Sequence, residues 1–140
     1  MISFRIRVLI CYLLLGLVLL SLGQRLRAAG SAQSIRVIAH GQQVDIRKHL
    51  IRGKVTIIDF YADWCGPCRL IGPMLERLAT DPQIVLRKVD IINFQSPVAR
   101  QFNLDAIPHV QIYNRKGKFV GAVTGVDPDA VQAYVAKAKL

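Results

Sequence analysis

From Ile35 onward the chain alternates between short apolar runs and stretches of helical spacing. Ile35–Ala39 reads as a first strand, and Val44–Leu50 as a short amphipathic helix. Gly53 and Lys54 turn the chain into a longer apolar run, Val55–Ala62, which predicts a strand interrupted by one acid, Asp59. Apolar residues then recur in pairs, Leu70 and Ile71, Met74 and Leu75, Leu78 and Ala79. That is helical spacing, and it predicts a helix from about Cys65 to Ala79, bent at Pro73 and ended by Asp81-Pro82. Ile84–Asp90 reads as a strand and Pro97–Phe102 as a short helix. Val110–Tyr113 and Phe119–Val123 read as two strands of a hairpin joined through Asn114–Lys118. Asp127 as cap and Pro128 at the first helical position open a last helix running to Lys139. The order β-α-β-α-β-α-β-β-α predicts an α/β domain with a central mixed sheet and helices on both faces.

The junction between the Val55–Ala62 strand and the following helix holds the candidate chemistry. Trp64-Cys65-Gly66-Pro67-Cys68 places two cysteines at a helix start. A helix N-terminus carries partial positive charge and unpaired N–H groups, both of which favour a thiolate over a thiol. Two cysteines separated by two residues also close into a small disulfide ring. Cys65 comes first, nearest the helix N-terminus, and is expected to be the more exposed, attacking thiol. Cys68 is expected to resolve the mixed disulfide that this attack forms. A bare pair at this spacing also occurs in zinc ribbons and other modules, so a structural or metal-binding pair is the competing reading. Asp59 lies on one strand face with Ile57 and Tyr61, where burial raises the pKa of a carboxylate.

The segment Asp59-Phe60-Tyr61-Ala62-Asp63-Trp64-Cys65-Gly66-Pro67-Cys68-Arg69 resembles the active-site segment of thioredoxins nearly residue for residue. Pro73, Ile107-Pro108, Gly117 and Gly125 fall where that family has its helix-kinking proline, its cis-proline and its later glycines, and the match runs from about Ile35 to Leu140. The resemblance implies a thioredoxin fold and a thiol–disulfide oxidoreductase that needs no cofactor beyond a Cys65–Cys68 disulfide. It implies that Asp59 is the buried acid moving protons to and from Cys68, with Lys88 as its neighbour. It implies that Pro108 is cis and packs against the sulfurs, and that Ile107 offers backbone groups to a bound substrate chain. Trp64, Gly66 and Pro67 would shape the exposed rim, and the Gly-Pro dipeptide accompanies reducing members of the family.

Two features depart from the family pattern. His109 stands where thioredoxins usually carry threonine. It is read as an ordinary strand histidine, as a residue that tunes Cys65, or as a third ligand with Cys65 and Cys68 in a soft site suited to copper or zinc. The loop at Ile91-Ile92-Asn93-Phe94 is also about one residue longer than usual.

The N-terminus belongs to a different class. Arg5 and Arg7 precede an uncharged, Leu-rich run from Val8 to Gly23, and Arg25 and Arg27 follow it. As a helix this run spans roughly 24 Å, a little short of a bilayer's hydrocarbon core, and the flanking arginines snorkel to cover the difference. An uncleaved anchor and a cleavable export signal ending near Gly30-Ser31-Ala32 both fit the pattern. Either places the following domain outside the cytoplasm, so residues 1–30 are expected to be anchor or signal and 31–140 the thioredoxin-like domain. Cys11 lies within the apolar run and counts as a small hydrophobe, leaving Cys65 and Cys68 for chemistry.

The 140-residue chain carries a net charge of +10, of which the four arginines of the first 30 residues supply part and the rest of the chain +6. The remaining cations are scattered, without a nucleic-acid motif or aromatic interleaving, so they read as a solvated face or as attraction to anionic headgroups, and nucleic acid is not an expected partner. Together these features predict a membrane-tethered, extracytoplasmic thiol–disulfide oxidoreductase. It would reduce protein disulfides and draw electrons from a membrane thiol donor. A copper-delivery module using Cys65, Cys68 and His109, and a disulfide oxidant or isomerase, are the alternatives.

Overall fold

The computed structural model describes residues 34–140. The expected anchor or signal at residues 1–30 lies outside the described residues. Five strands, β1 (Ile35–His40), β2 (Val55–Tyr61), β3 (Ile84–Asp90), β4 (His109–Tyr113) and β5 (Phe119–Thr124), alternate with three helices, α1 (Gly66–Leu78), α2 (Pro97–Gln101) and α3 (Pro128–Ala138). The strands form one sheet in the order β1-β3-β2-β4-β5. β1, β3 and β2 run parallel, while β4 is antiparallel to both β2 and β5.

β2 sits in the middle of the sheet, and its side chains alternate between two cores. Ile58 and Phe60 join Val89, Ile91, Val98 and Leu104 on the face covered by α2. Val55 and Ile57 join Ile71, Leu75, Val131 and Val135 on the face covered by α1 and α3. Both faces of β2 are thus dry, which is why its sequence reads as a continuous apolar run. Residues 34–140 fall within one compact unit, separate from residues 1–32 by its internal contacts, and that unit holds the five described strands and both cores, as a span that folds on its own requires. Among the described residues no helix is long and apolar enough to cross a membrane.

The elements expected from the sequence appear within a residue or two of their predicted ends, with one exception. Val44–Leu50 does not form an α-helix; only a four-residue 3₁₀ turn at Ile46–His49 does. The Val44 N–H donates to Gln101 Oε1 and its carbonyl accepts from Gln101 Nε2, both at 2.9 Å, while the Lys48 N–H that an α-helix would give to the Val44 carbonyl goes to the Asp45 carbonyl instead. Asp45 then caps the turn by accepting from the Arg47 N–H.

Candidate active site

The site forms where β2 ends and α1 begins. Cys65 is the N-cap of α1 and Pro67 fills one of its first positions, where a missing N–H costs nothing. Cys65 and Cys68 are joined in a disulfide with Cα atoms 5.3 Å apart. The Cys68 backbone N–H donates to Cys65 Sγ at 3.1 Å, so the sulfur itself is the capping acceptor. The first turn of α1 contains no acid. When the disulfide is reduced, that N–H and the helix dipole meet the Cys65 sulfur and favour its thiolate.

The expected difference in exposure between the cysteines is reversed. Cys65 is 3% exposed and Cys68 7% in this disulfide form. Cys65 Sγ lies 3.8 Å from the Ile107 carbonyl oxygen, so the opposing loop covers it. The Ile107–Pro108 peptide is cis, as the resemblance implies, and Pro108 is buried. The Pro108 carbonyl accepts from Gly125 N–H, which ties this loop to the end of β5.

Asp59 lies one layer beneath. Its register partner on β3 is Lys88 and on β4 is Val110. It is 2% exposed and its Oδ1 has no hydrogen-bond partner. Burial pushes the carboxyl up to about 6, against the opposing pull of the Lys88 charge, while Glu76 adds a smaller upward push. Lys88 is not bonded to Asp59. Its Nζ donates to Glu76 Oε1 at 3.2 Å and lies 4.8 Å from the centre of the Tyr61 ring. A cleft of about 260 Å³, lined by Asp59, Cys68, Pro73, Glu76 and Lys88 among others, connects the buried acid with the second cysteine.

Trp64 is 55% exposed, with Gly66 half-buried and Pro67 exposed beside the disulfide. What holds Trp64 was not legible in the sequence. Its Nε1 donates to the Ile92 carbonyl at 2.6 Å, and its ring meets Phe94 edge-on at 5.8 Å. Ile92 has a φ of 60°, a left-handed conformation that is costly for a β-branched residue. Asp90 stabilises it: Oδ1 accepts from Ile92 N–H and Oδ2 pairs with His40 Nδ1, each at 2.8 Å. Gly41 completes the support, because a Cβ there would sit 3.1 Å from Ile92 Cγ1. The longer loop at residues 91–94 was the only sequence signal pointing here.

His109 packs against Phe60 with ring centres 5.7 Å apart. Its Nδ1 is 2.8 Å from Thr124 Oγ1 and its Nε2 is 3.3 Å from Gln111 Nε2, so both ring nitrogens already have partners. Burial holds its pKa below the usual histidine range. Among the described residues no cluster of three or more His, Cys, Asp or Glu side chains is arranged to hold a metal ion. The Cys65, Cys68 and His109 ligand set therefore does not come together in this form.

Comparison with known proteins gives the same picture. The family model for thioredoxin matches residues 38–137. The chain is 36% identical over 85 residues to the thioredoxin of Malassezia sympodialis, covering 59% of this chain and 79% of that protein. It is 34% identical over 88 residues to thioredoxin-1 of Saccharomyces cerevisiae, covering 62% and 84%. Among solved structures it resembles the Malassezia protein with a TM-score of 0.59 at 29% identity, over 75% of this chain and 93% of that one. It resembles spinach chloroplast thioredoxin f with a TM-score of 0.61 at 25% identity, over 76% and 94%. With a redox-active disulfide as its working group and protein disulfides as its substrates, this chain belongs to the thioredoxin family and is a thioredoxin-type protein-disulfide reductase that uses no cofactor.

Proposed function

We propose that this protein is a membrane-tethered reductant of protein disulfides outside the cytoplasm. The observation that carries the chemistry is the Cys65 sulfur placed as the helix cap and accepting the Cys68 N–H. In the reduced protein the Cys65 thiolate attacks one sulfur of a substrate disulfide, forming a Cys65–substrate bond and releasing the other substrate sulfur as a thiolate. The Cys68 sulfur then attacks Cys65 Sγ, giving up its proton, and displaces the second substrate sulfur. Two electrons pass to the substrate and Cys65–Cys68 is left oxidised. Asp59 takes the Cys68 proton by way of the cleft they share, because its raised pKa lets it hold a proton near neutral pH. Lys88, held by Glu76, limits that rise. Ile107, on the cis loop over the sulfurs, pairs with the substrate backbone, while Trp64, Gly66, Pro67 and His109 form the surrounding rim.

The compartment rests on residues 1–30, whose basic start and apolar run fit an anchor or export signal. In that compartment the dithiol is reloaded by a membrane thiol donor. Two measurements test the reading. A Cys68→Ser variant in cells should accumulate mixed disulfides with exported proteins; capture of cytoplasmic proteins alone would refute the compartment. The Cys65–Cys68 reduction potential should lie near the general thioredoxin value of about −270 mV, whereas one near −120 mV would make the protein an oxidant or isomerase.

A further inference from the structure

Two stretches of residues 34–140 carry cations without acids. No acid occurs in residues 46–58 or in residues 106–126, yet these two stretches hold Arg52, Lys54, Arg115, Lys116 and Lys118. The fold brings the two turns together: Gly53 N–H donates to the Arg115 carbonyl, and Thr56 faces Tyr113 across β2 and β4. The result is a basic pole at the end of the sheet where β2 begins and β4 ends. Arg52, Lys116 and Lys118 are exposed, and Lys54 is half-buried. Arg115 donates to Gln83 Oε1 at 2.5 Å. Asp81, an acid close enough to feel the Arg115 charge, already accepts from Lys139 Nζ at 2.7 Å.

The opposite pole carries the disulfide together with three exposed acids, Asp63, Asp105 and Asp127, and the exposed Arg69, whose Nη1 donates to the Asp63 carbonyl. The seven residues of β2 set the two poles roughly 20 Å apart. Two large apolar side chains stand on the basic pole, Ile51 at 39% and Phe119 at 57% exposure. Cations mixed with exposed apolar side chains at two neighbouring turns suit a planar anionic interface, where the cations meet headgroups and the apolar groups enter the boundary. Single-stranded nucleic acid would instead call for a basic groove with stacked aromatic platforms.

We propose that this basic pole docks on an anionic phospholipid surface, leaving the Cys65–Cys68 pole turned away from the lipid and open to protein substrates. The surface is separate from the disulfide site and does not depend on whether residues 1–33 span a membrane. Flotation of residues 34–140 with phosphatidylcholine vesicles, with and without phosphatidylglycerol, tests it. Binding should appear only with the anionic lipid and should disappear at high salt. The triple variant Arg52→Ala, Lys116→Ala, Lys118→Ala should lose partitioning on the order of a hundredfold. Insulin-disulfide reduction by that variant should be unchanged, which shows that it is folded. Phe119→Ser should weaken partitioning further at constant charge. Absence of flotation at low salt would overturn the proposal, as would equal flotation of the triple variant. Tighter binding to a single-stranded RNA homopolymer than to the anionic vesicles at the same salt would overturn it by assigning the pole to nucleic acid.

Discussion

Ionising Asp59 places a charge where one carboxylate oxygen has no hydrogen-bond partner. The folded protein therefore holds this proton more tightly than the unfolded chain, between the ordinary value of 3.8 and about 6. A raised acid lends stability below its unfolded pKa and loses it as pH rises through the folded one. Denaturant unfolding of the oxidised protein should show stability falling by about 2 kcal/mol between pH 4 and pH 7 through this group. Asp59→Asn should abolish that slope and slow release of the substrate from the mixed disulfide at pH 7, measured by rapid quench. A second test at this scale concerns Asp90, which acts on Trp64 through Ile92. Asp90→Ala should raise KM for a protein disulfide several-fold while leaving kcat with a small aromatic disulfide unchanged. Trp64 is the chain's single tryptophan, so its emission should report the lost hydrogen bond directly. Asp90→Asn keeps an acceptor for the Ile92 N–H and should restore much of the loss.

Helix α3 and strand β5 meet at a point where only glycine fits. A Cβ on Gly121 would lie 2.4 Å from a carbon of the Tyr134 ring. Gly121→Ala should push that ring aside and lower stability by about 1–3 kcal/mol, read from the urea midpoint. Adding Tyr134→Ala should make the glycine substitution nearly neutral, which a double-mutant cycle will show. The same element-scale logic accounts for the missing helix at Val44–Leu50. The pattern of apolar positions was helical, but a side chain from α2, Gln101, takes the Val44 carbonyl, and the Lys48 N–H turns to Asp45. Nothing near Val44 in sequence announces a partner 57 residues away.

At the scale of the whole domain, the two cores share the central strand β2, so neither can open without the other. Residues 34–140 should unfold in one transition, with Trp64 fluorescence and far-ultraviolet circular dichroism superimposing. Separate transitions would mean that the β4–β5 hairpin and α3 fold independently of the parallel strands. The charge polarity described above belongs to this scale as well. The cations looked scattered along the chain because turns distant in sequence carry them, and only the pairing of β2 with β4 collects them at one end.

Local chemistry was readable from the residues alone. Strand and helix periods, the proline and aspartate that open α3, and the cysteine pair at a helix start are all decided by neighbours within a few residues. So was the burial of Asp59, because an acid inside an apolar run has little choice of surroundings. The tertiary structure decided what depends on contacts between distant segments. It buried both cysteines, with the Ile107 carbonyl 3.8 Å from Cys65 Sγ, and it drew Lys88 toward Glu76. It gave both nitrogens of His109 to Thr124 and Gln111, and it fastened Trp64 to the backbone of Ile92. A backbone carbonyl carries no sequence signature, and a side chain's choice among several partners is settled only when packing brings one of them within reach.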